Sequence, residues 1–291
     1  DYKGNIQQVI VTFVDITERK KALERTKRLS HLNEELLGSS SLNEKLRLIT
    51  DEIVQIFKAD FGRIWMIKPG DLCNSGCTHA KVTEGPHVCR YRERCLHLLA
   101  SSGRYTHIEG GHRRVPFGGY KIGRIAAEDE MKFLTNDVIN DPRIHDHEWA
   151  RNLGLVSFAG YRLLSDDGGV VGVLALFSKQ IISNEDDAQL GNLATTIAQV
   201  LQTAMTQEAL HQSEEKYRTL FESSIDALAI IDVDTGKFID CNSAAVKLHG
   251  TGTRENFLGL TPESLSPKFQ PNGEISQKLA MEHINKAFIT F

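Results

Sequence analysis

Two apolar runs constrain this chain most. Residues 158–164 and 170–177 flank Asp166-Asp167-Gly168-Gly169. Acidic residues followed by glycines are turn chemistry, and the flanking runs have strand composition. The two runs therefore predict an antiparallel hairpin. The second run is the longest nearly unbroken apolar stretch in the sequence. It is far shorter than the roughly 20 residues a membrane-spanning helix requires, so no membrane segment is expected.

Helical signals surround the hairpin. Residues 1–14 read as a strand, with Val9, Val11 and Phe13 alternating after the Lys3-Gly4-Asn5 turn. Asp15 and Glu18 have the spacing of a capping box, so a helix is predicted from there to about Leu37. Its apolar positions, Ala22, Leu29, Leu32 and Leu36, form a narrow stripe that suits a two-helix coiled coil. Ser41 with Glu44 makes a second capping box. Leu42, Leu46, Ile49, Ile53 and Phe57 then repeat at helical spacing, which predicts a helix with one buried face. A strand is expected over 61–68, ended by Pro69-Gly70. Ser183 opens a long helix carrying Leu190, Leu193, Ile197, Val200 and Ala204, again a coiled-coil stripe. Near Ser213 a further segment begins, with strands at 227–232 and 237–242 around Asp234-Thr235-Gly236.

At 291 residues the chain has room for about two domains. Apolar residues at 41% and charged residues at 25% are ordinary for a globular protein and exclude wholesale disorder. With 34 basic against 38 acidic residues the net charge is −4, which argues against a nucleic-acid partner. Five cysteines, an odd number, and no secretory leader point to a reducing, cytoplasmic setting. The chain opens at Asp1 within a strand pattern and stops at Phe291 inside an element, so it reads as part of a larger protein.

Cys73, Cys77, Cys89 and Cys95 read C-x3-C-x11-C-x5-C. Thiolates suit tetrahedral zinc, and the first pair has the short spacing of structural zinc sites. The four cysteines are thus the candidate metal ligands, with His79, His87 and His97 as spare donors. Haem is an alternative. Cys73-Asn74-Ser75-Gly76-Cys77-Thr78-His79 is a haem-attachment pattern with one extra residue in each gap. A thiol redox switch is a third reading, and small apolar fillers in an insertion a fourth.

The remaining candidates are weaker. His107 and His112 adjoin Arg113-Arg114, a pair that could grip an anion or form a solvated loop face. His145-Asp146-His147 could hold a metal but lacks an evident third ligand. Cys241 reads as a packed core residue and His211 as a solvated helix residue. No phosphate-binding glycine loop, nucleophile elbow or H-E-x-x-H occurs, so no enzymatic activity is expected of this chain itself.

A family resemblance joins these pieces. It is carried by Asn136-Asp137-Val138, Asn140-Asp141-Pro142-Arg143, Glu148-Trp149-Ala150, the run from Gly154 to Gly160, and the strand from Val171 to Phe177 ahead of Glu185-Asp186. Together they make residues 41–206 resemble a GAF domain, a sensing module of signalling proteins. Residues 207–291 hold a linker and then resemble an incomplete PAS domain, through the segment from Ser213 to Glu222 and Asp240-Cys241-Asn242-Ser243-Ala244-Ala245. Residues 1–16 resemble the end of another PAS domain, and 17–40 a signalling helix. The implied fold class is α+β. It comprises a GAF-like antiparallel sheet flanked by helices, long coiled-coil-type connecting helices and a partial PAS-like α+β domain, with a cysteine-rich insertion at 71–115.

The row of domains resembles multi-domain PAS/GAF sensor histidine kinases, in particular the cysteine-rich GAF subgroup of methanogenic archaea, some of which are haem-dependent redox sensors. The resemblance implies the sensory region of a phosphorelay kinase, perceiving a small molecule or redox state. The alternative outputs are a nucleotide cyclase or a transcription regulator. It implies a GAF pocket for which His145, His147 and Trp149 are candidates. It also implies a parallel homodimer through helices 17–37 and 186–211.

Overall fold

The computed structural model describes residues 15–38, 40–85, 88–127, 132–280 and 282. The strand expected over 1–14 and the candidate ligand His87 lie outside them. In chain order the elements are α1 (Thr17–Leu36), α2 (Leu42–Phe57), β1 (Ala59–Lys68), β2 (Cys95–Gly103), β3 (Arg114–Pro116), α3 (Tyr120–Ala127), β4 (Lys132–Thr135), α4 (His147–Asn152), β5 (Ser157–Leu164), β6 (Val170–Ser178), α5 (Asn184–Ser223), β7 (Ala229–Ile231), β8 (Phe238–Cys241), α6 (Ser243–His249) and α7 (Arg254–Phe257). The described residues divide into two compact units, one reaching Met205 and the other starting at Thr206.

The first unit is an α+β fold around a six-stranded antiparallel sheet ordered β3-β2-β1-β6-β5-β4. The predicted hairpin forms as β5 and β6, with Gly160 opposite Ala175 and Tyr161 opposite Leu174. Its turn closes through Ser165 N–H to Gly169 O at 2.8 Å, with Gly168 at φ +82°. Capping starts α2 as predicted. Ser41 Oγ accepts from Glu44 N–H, and Glu44 Oε2 accepts from Ser41 N–H at 2.8 Å. For α1 the N-cap is Ile16, one residue beyond the expected Asp15, and Ile16 makes no side-chain hydrogen bond.

Alternate residues on the central strands face two separate cores. Ile64, Met66, Leu163, Leu174 and Leu176 face the long helices and pack with Leu46, Ile49 and Ile53 of α2. Leu190, Leu193, Ile197 and Leu201 of α5 complete that layer, together with Leu32 and Leu36 of α1. Phe61, Trp65, Phe158, Val173, Ala175 and Phe177 face the other way, toward α3 and α4.

Both apolar stripes read as coiled-coil seams are therefore largely consumed inside the chain. Leu32 is 1% exposed and Leu190, Ile197 and Leu201 are 0% exposed. A stripe of three-four spacing fits a sheet of the same chain as well as a helix of another. Ion pairs seat the helices: Arg25 with Asp186 at 2.5 Å and Arg28 with Glu52 at 3.1 Å. On α5 the apolar side chains left exposed come later, at Met205, Leu210, Tyr217 and Leu220.

The insertion expected at 71–115 is also redrawn. It contains strand β2 of the sheet and the start of β3, and the segment between β1 and β2, which carries a short 3-10 helix at Thr78–Lys81, ends at Arg94. β2 begins at Cys95, paired with Lys68 on one side and Pro116 on the other.

In the second unit β7 and β8 form a two-stranded antiparallel sheet over a small core of Phe238, Cys241, Ala245 and Phe257. Cys241 is wholly buried there, as expected. Asn242 organises the unit. Its Nδ2 donates to Phe221 O and Asp226 O, and its Oδ1 accepts from Leu228 N–H and Ala245 N–H. That is why an Asn fits after β8: it satisfies four backbone groups and caps α6. His211 lies exposed beside Glu215 at 3.4 Å, a solvated helix pair.

Candidate functional site

The face of the sheet turned away from the long helices encloses a cavity of about 300 Å³. Its walls are aromatic. Phe61, Tyr105, Trp149, Phe158 and Phe177 line it, with Phe177 centred 4.7 Å from Phe158, 5.2 Å from Phe61 and 5.3 Å from Trp149. Edge and tilted packing of this kind is favourable beyond the area buried. Trp65 closes the floor, donating through Nε1 to His112 O at 3.1 Å.

Two cations enter this apolar room. Arg63 comes from the middle of β1 and is 8% exposed. Its Nε donates to Ser101 Oγ at 3.1 Å, and the Ser101 hydroxyl donates to Tyr105 O at 2.5 Å. The guanidinium lies 5.4 Å from the Phe61 ring centre and 5.3 Å from that of Tyr105. Lys121 reaches in from α3, its Nζ 5.1 Å from the Phe177 ring centre. Desolvation lowers Lys121 to about 8, with Asp146 opposing the shift and Arg63 adding to it.

Glycines let α3 come this close. A Cβ at Gly123 would stand 2.0 Å from Pro116 O, and one at Gly160 would stand 2.4 Å from Ile125 Cδ1. Tyr120, just before Lys121, adopts φ +51°, a conformation uncommon for a bulky residue. Its ring centre lies 5.2 Å from that of His79 and 5.9 Å from that of His145.

His107, His112 and His145 also line the cavity. His112 is exposed as a residue, yet desolvation of its ring comes first in lowering it to about 4, followed by the charges of Arg63 and Lys121. Of the three residues proposed for a pocket, His145 and Trp149 do line it. His147 does not: its Nε2 hydrogen-bonds Asp141 O at 2.9 Å. The Arg113-Arg114 pair is already matched by carboxylates. Arg114 holds Asp71 through two hydrogen bonds and Arg113 holds Glu109 at 3.2 Å.

The cysteines gather at one end of the sheet. Cys77 and Cys95 are buried, Cys73 and Cys89 half-buried, and all are free thiols. Burial first, then the neighbouring Cys89 and Cys77, pushes the Cys95 thiol up to about 12. Burial and the charges of Cys73 and Cys77 also raise Cys89. The four are thus within electrostatic reach of one another. Even so, among the described residues no three His, Cys, Asp or Glu side chains stand where they could hold a metal ion. Two of the spare donors are engaged elsewhere: His97 Nε2 hydrogen-bonds Pro69 O at 2.9 Å, and His79 Nδ1 lies 3.4 Å from Tyr120 Oη.

A single sheet with a ligand-sized cavity on one face and paired helices on the other agrees with the sequence comparison, in which the GAF domain family profile matches residues 41–201. The chain belongs to the GAF domain family. A PAS domain profile matches residues 215–288. The chain is 22% identical over 273 residues to a methyl sulfide methyltransferase-associated sensor of Methanosarcina acetivorans, covering 91% of this chain. It spans about a quarter, 25%, of that relative's length.

Among solved structures, it is similar to the GAF domain of a phosphoenolpyruvate-protein phosphotransferase from Coxiella burnetii. That match has 19% identity and a TM-score of 0.48, and covers 65% of this chain and 98% of that one. It is also similar to a free methionine-R-sulfoxide reductase from Neisseria meningitidis in complex with its substrate. There the identity is 18% and the TM-score 0.45, with 69% of this chain and 99% of that one covered.

Sequence reading overlooked the two cations of the GAF cavity. Arg63 had a signal, a lone charge inside the apolar strand 61–68. Lys121 had none, because only the approach of α3 to the sheet brings it inside.

Proposed function

We propose that this chain is the sensory region of a longer phosphorelay histidine kinase, and that its GAF cavity binds a small organic molecule. A cavity of about 300 Å³ falls at the small end of the range for small-molecule sites. The observation carrying the reading is the sheet's division of labour. Phe177, Ala175 and Val173 belong to the cavity-side core, while their neighbours Leu176 and Leu174 pack with α5. A change of strand geometry at the cavity therefore meets the helix one residue away. α5 continues to Ser223, into the segment that the PAS profile matches. A coupling of about 1–3 kcal/mol is typical of such relays. The kinase output is supported by the domain row and by similarity to a protein named as a sensor. In this reading the chain relays and does not catalyse.

Filling the cavity tests the relay. Ala175→Leu mimics an occupant, since Ala175 lines the space. Hydrogen exchange over residues 190–201 of α5 is expected to change at least threefold, with Ala175→Ser as the neutral control. Unchanged exchange in a folded Ala175→Leu variant refutes the relay. In the longer protein, Ala204→Pro is expected to abolish the response while leaving the GAF fold intact, because proline breaks a helix interior.

A further inference from the structure

Resting on the reading of the cavity as a ligand site, we propose that its ligand is a small organic monoanion: a carboxylate held between Arg63 and Lys121, carried on a planar apolar body that lies against the aromatic walls.

The cations are arranged as an open receptor. Arg63 is oriented through Nε by Ser101, which leaves both Nη groups without a partner among the described residues. Those two donors form the fork that a carboxylate matches in bidentate fashion. Lys121 has no carboxylate in ion-pair contact among the described residues, and its Nζ lies 5.1 and 5.8 Å from the ring centres of Phe177 and Phe158. Cation–π contact offsets part of its lost hydration but does not replace a counter-charge. Burying a charge without a partner is expensive, and a ligand anion supplies the partner.

The charge balance sets the ligand's valence. Counted over the Arg, Lys, Asp and Glu side chains of the lining, one carboxylate, Asp146, stands against the two cations, which leaves one net positive charge. Asp146 is also engaged already, since its Oδ1 accepts from Trp149 N–H at 2.9 Å. His112, held down to about 4, adds no charge at neutral pH. A monoanion balances this site. The remaining walls are aromatic faces and edges, which suit a flat apolar body.

The chain carries its own reporter. It has two tryptophans, Trp65 and Trp149, and both line the cavity. The whole chain is titrated with benzoate and 2-naphthoate, their neutral amides and 2-naphthylmethylamine, reading tryptophan fluorescence and thermal melting. A carboxylate is expected to bind at least tenfold tighter than its amide. Arg63→Gln and Lys121→Gln should each weaken the carboxylate at least tenfold and leave amide affinity within twofold, which also shows that the variants are folded. Arg63→Lys should retain part of the affinity. Amides or the amine binding as well as the carboxylates, or carboxylate affinity indifferent to both glutamines, overturns the anion and leaves the ligand cavity standing. Silence from every probe refutes the cavity itself as a ligand site, and the anion with it.

Discussion

The two faces of the six-stranded sheet are made by the same strands and obey opposite rules. On the helix side, Ile64, Leu163, Leu174, Leu190 and Ile197 are 0% exposed, a dry aliphatic layer. On the other side, aromatic rings surround a hollow, and two cations stand in it with Asp146 as the one carboxylate lining it among the described residues. Dense aliphatic packing gives stability, whereas an empty space lined with desolvated charge subtracts from it. The contrast teaches that the helix face holds the fold, which leaves the cavity face free to keep a costly arrangement for binding.

The sharpest way to break that contrast is a matched pair of substitutions. Leu174→Ala removes a wholly buried side chain from the aliphatic layer and is expected to cost about 2–5 kcal/mol in urea unfolding. Lys121→Met on the opposite face is expected to leave stability unchanged or raise it by about 1 kcal/mol, since it removes a buried unpaired charge of similar shape. Equal losses in the two variants would erase the distinction.

Titration sharpens it further. Lys121 lies at about 8 in the folded chain, below its ordinary 10.5. The unfolded chain therefore holds more protons between those values. The penalty for burying the charge is full below pH 8 and fades as pH rises toward 10.5. Folding stability should gain up to about 1 kcal/mol per pH unit there, compared with Lys121→Met. The charged groups facing Lys121 are Arg63 and Asp146, with the imidazoles of His107, His112 and His145 around the same cavity. A pH profile shared by wild type and variant would place the shift elsewhere. The smallest expected effect is at the helix supporting the dry face. Ser41→Ala deletes the cap of α2 and should cost about 1 kcal/mol or less in the same unfolding measurement.

What could be read from sequence follows from how local each feature is. The hairpin β5–β6 and the start of α2 were legible because turn residues and a capping pair encode them within a few positions. β2 was hidden. Its Ser101, Ser102 and His97 look like loop residues, and their partners Arg63, Thr50 and Pro69 O are distant in sequence. The stripes of α1 and α5 revealed a buried face but not what covers it. Within the cavity, the motif around Trp149 pointed to His145 and Trp149, yet it could not show that His147 turns toward Asp141.

Tyr120 gives these parts a common pivot. Its left-handed backbone costs roughly 1–2 kcal/mol relative to an ordinary conformation, and its ring is propped between an imidazole of the thiol-bearing loop and one of the cavity wall. The residue that turns the chain into α3 at Lys121 is therefore the same one whose ring bridges the thiol-bearing loop and the cavity wall.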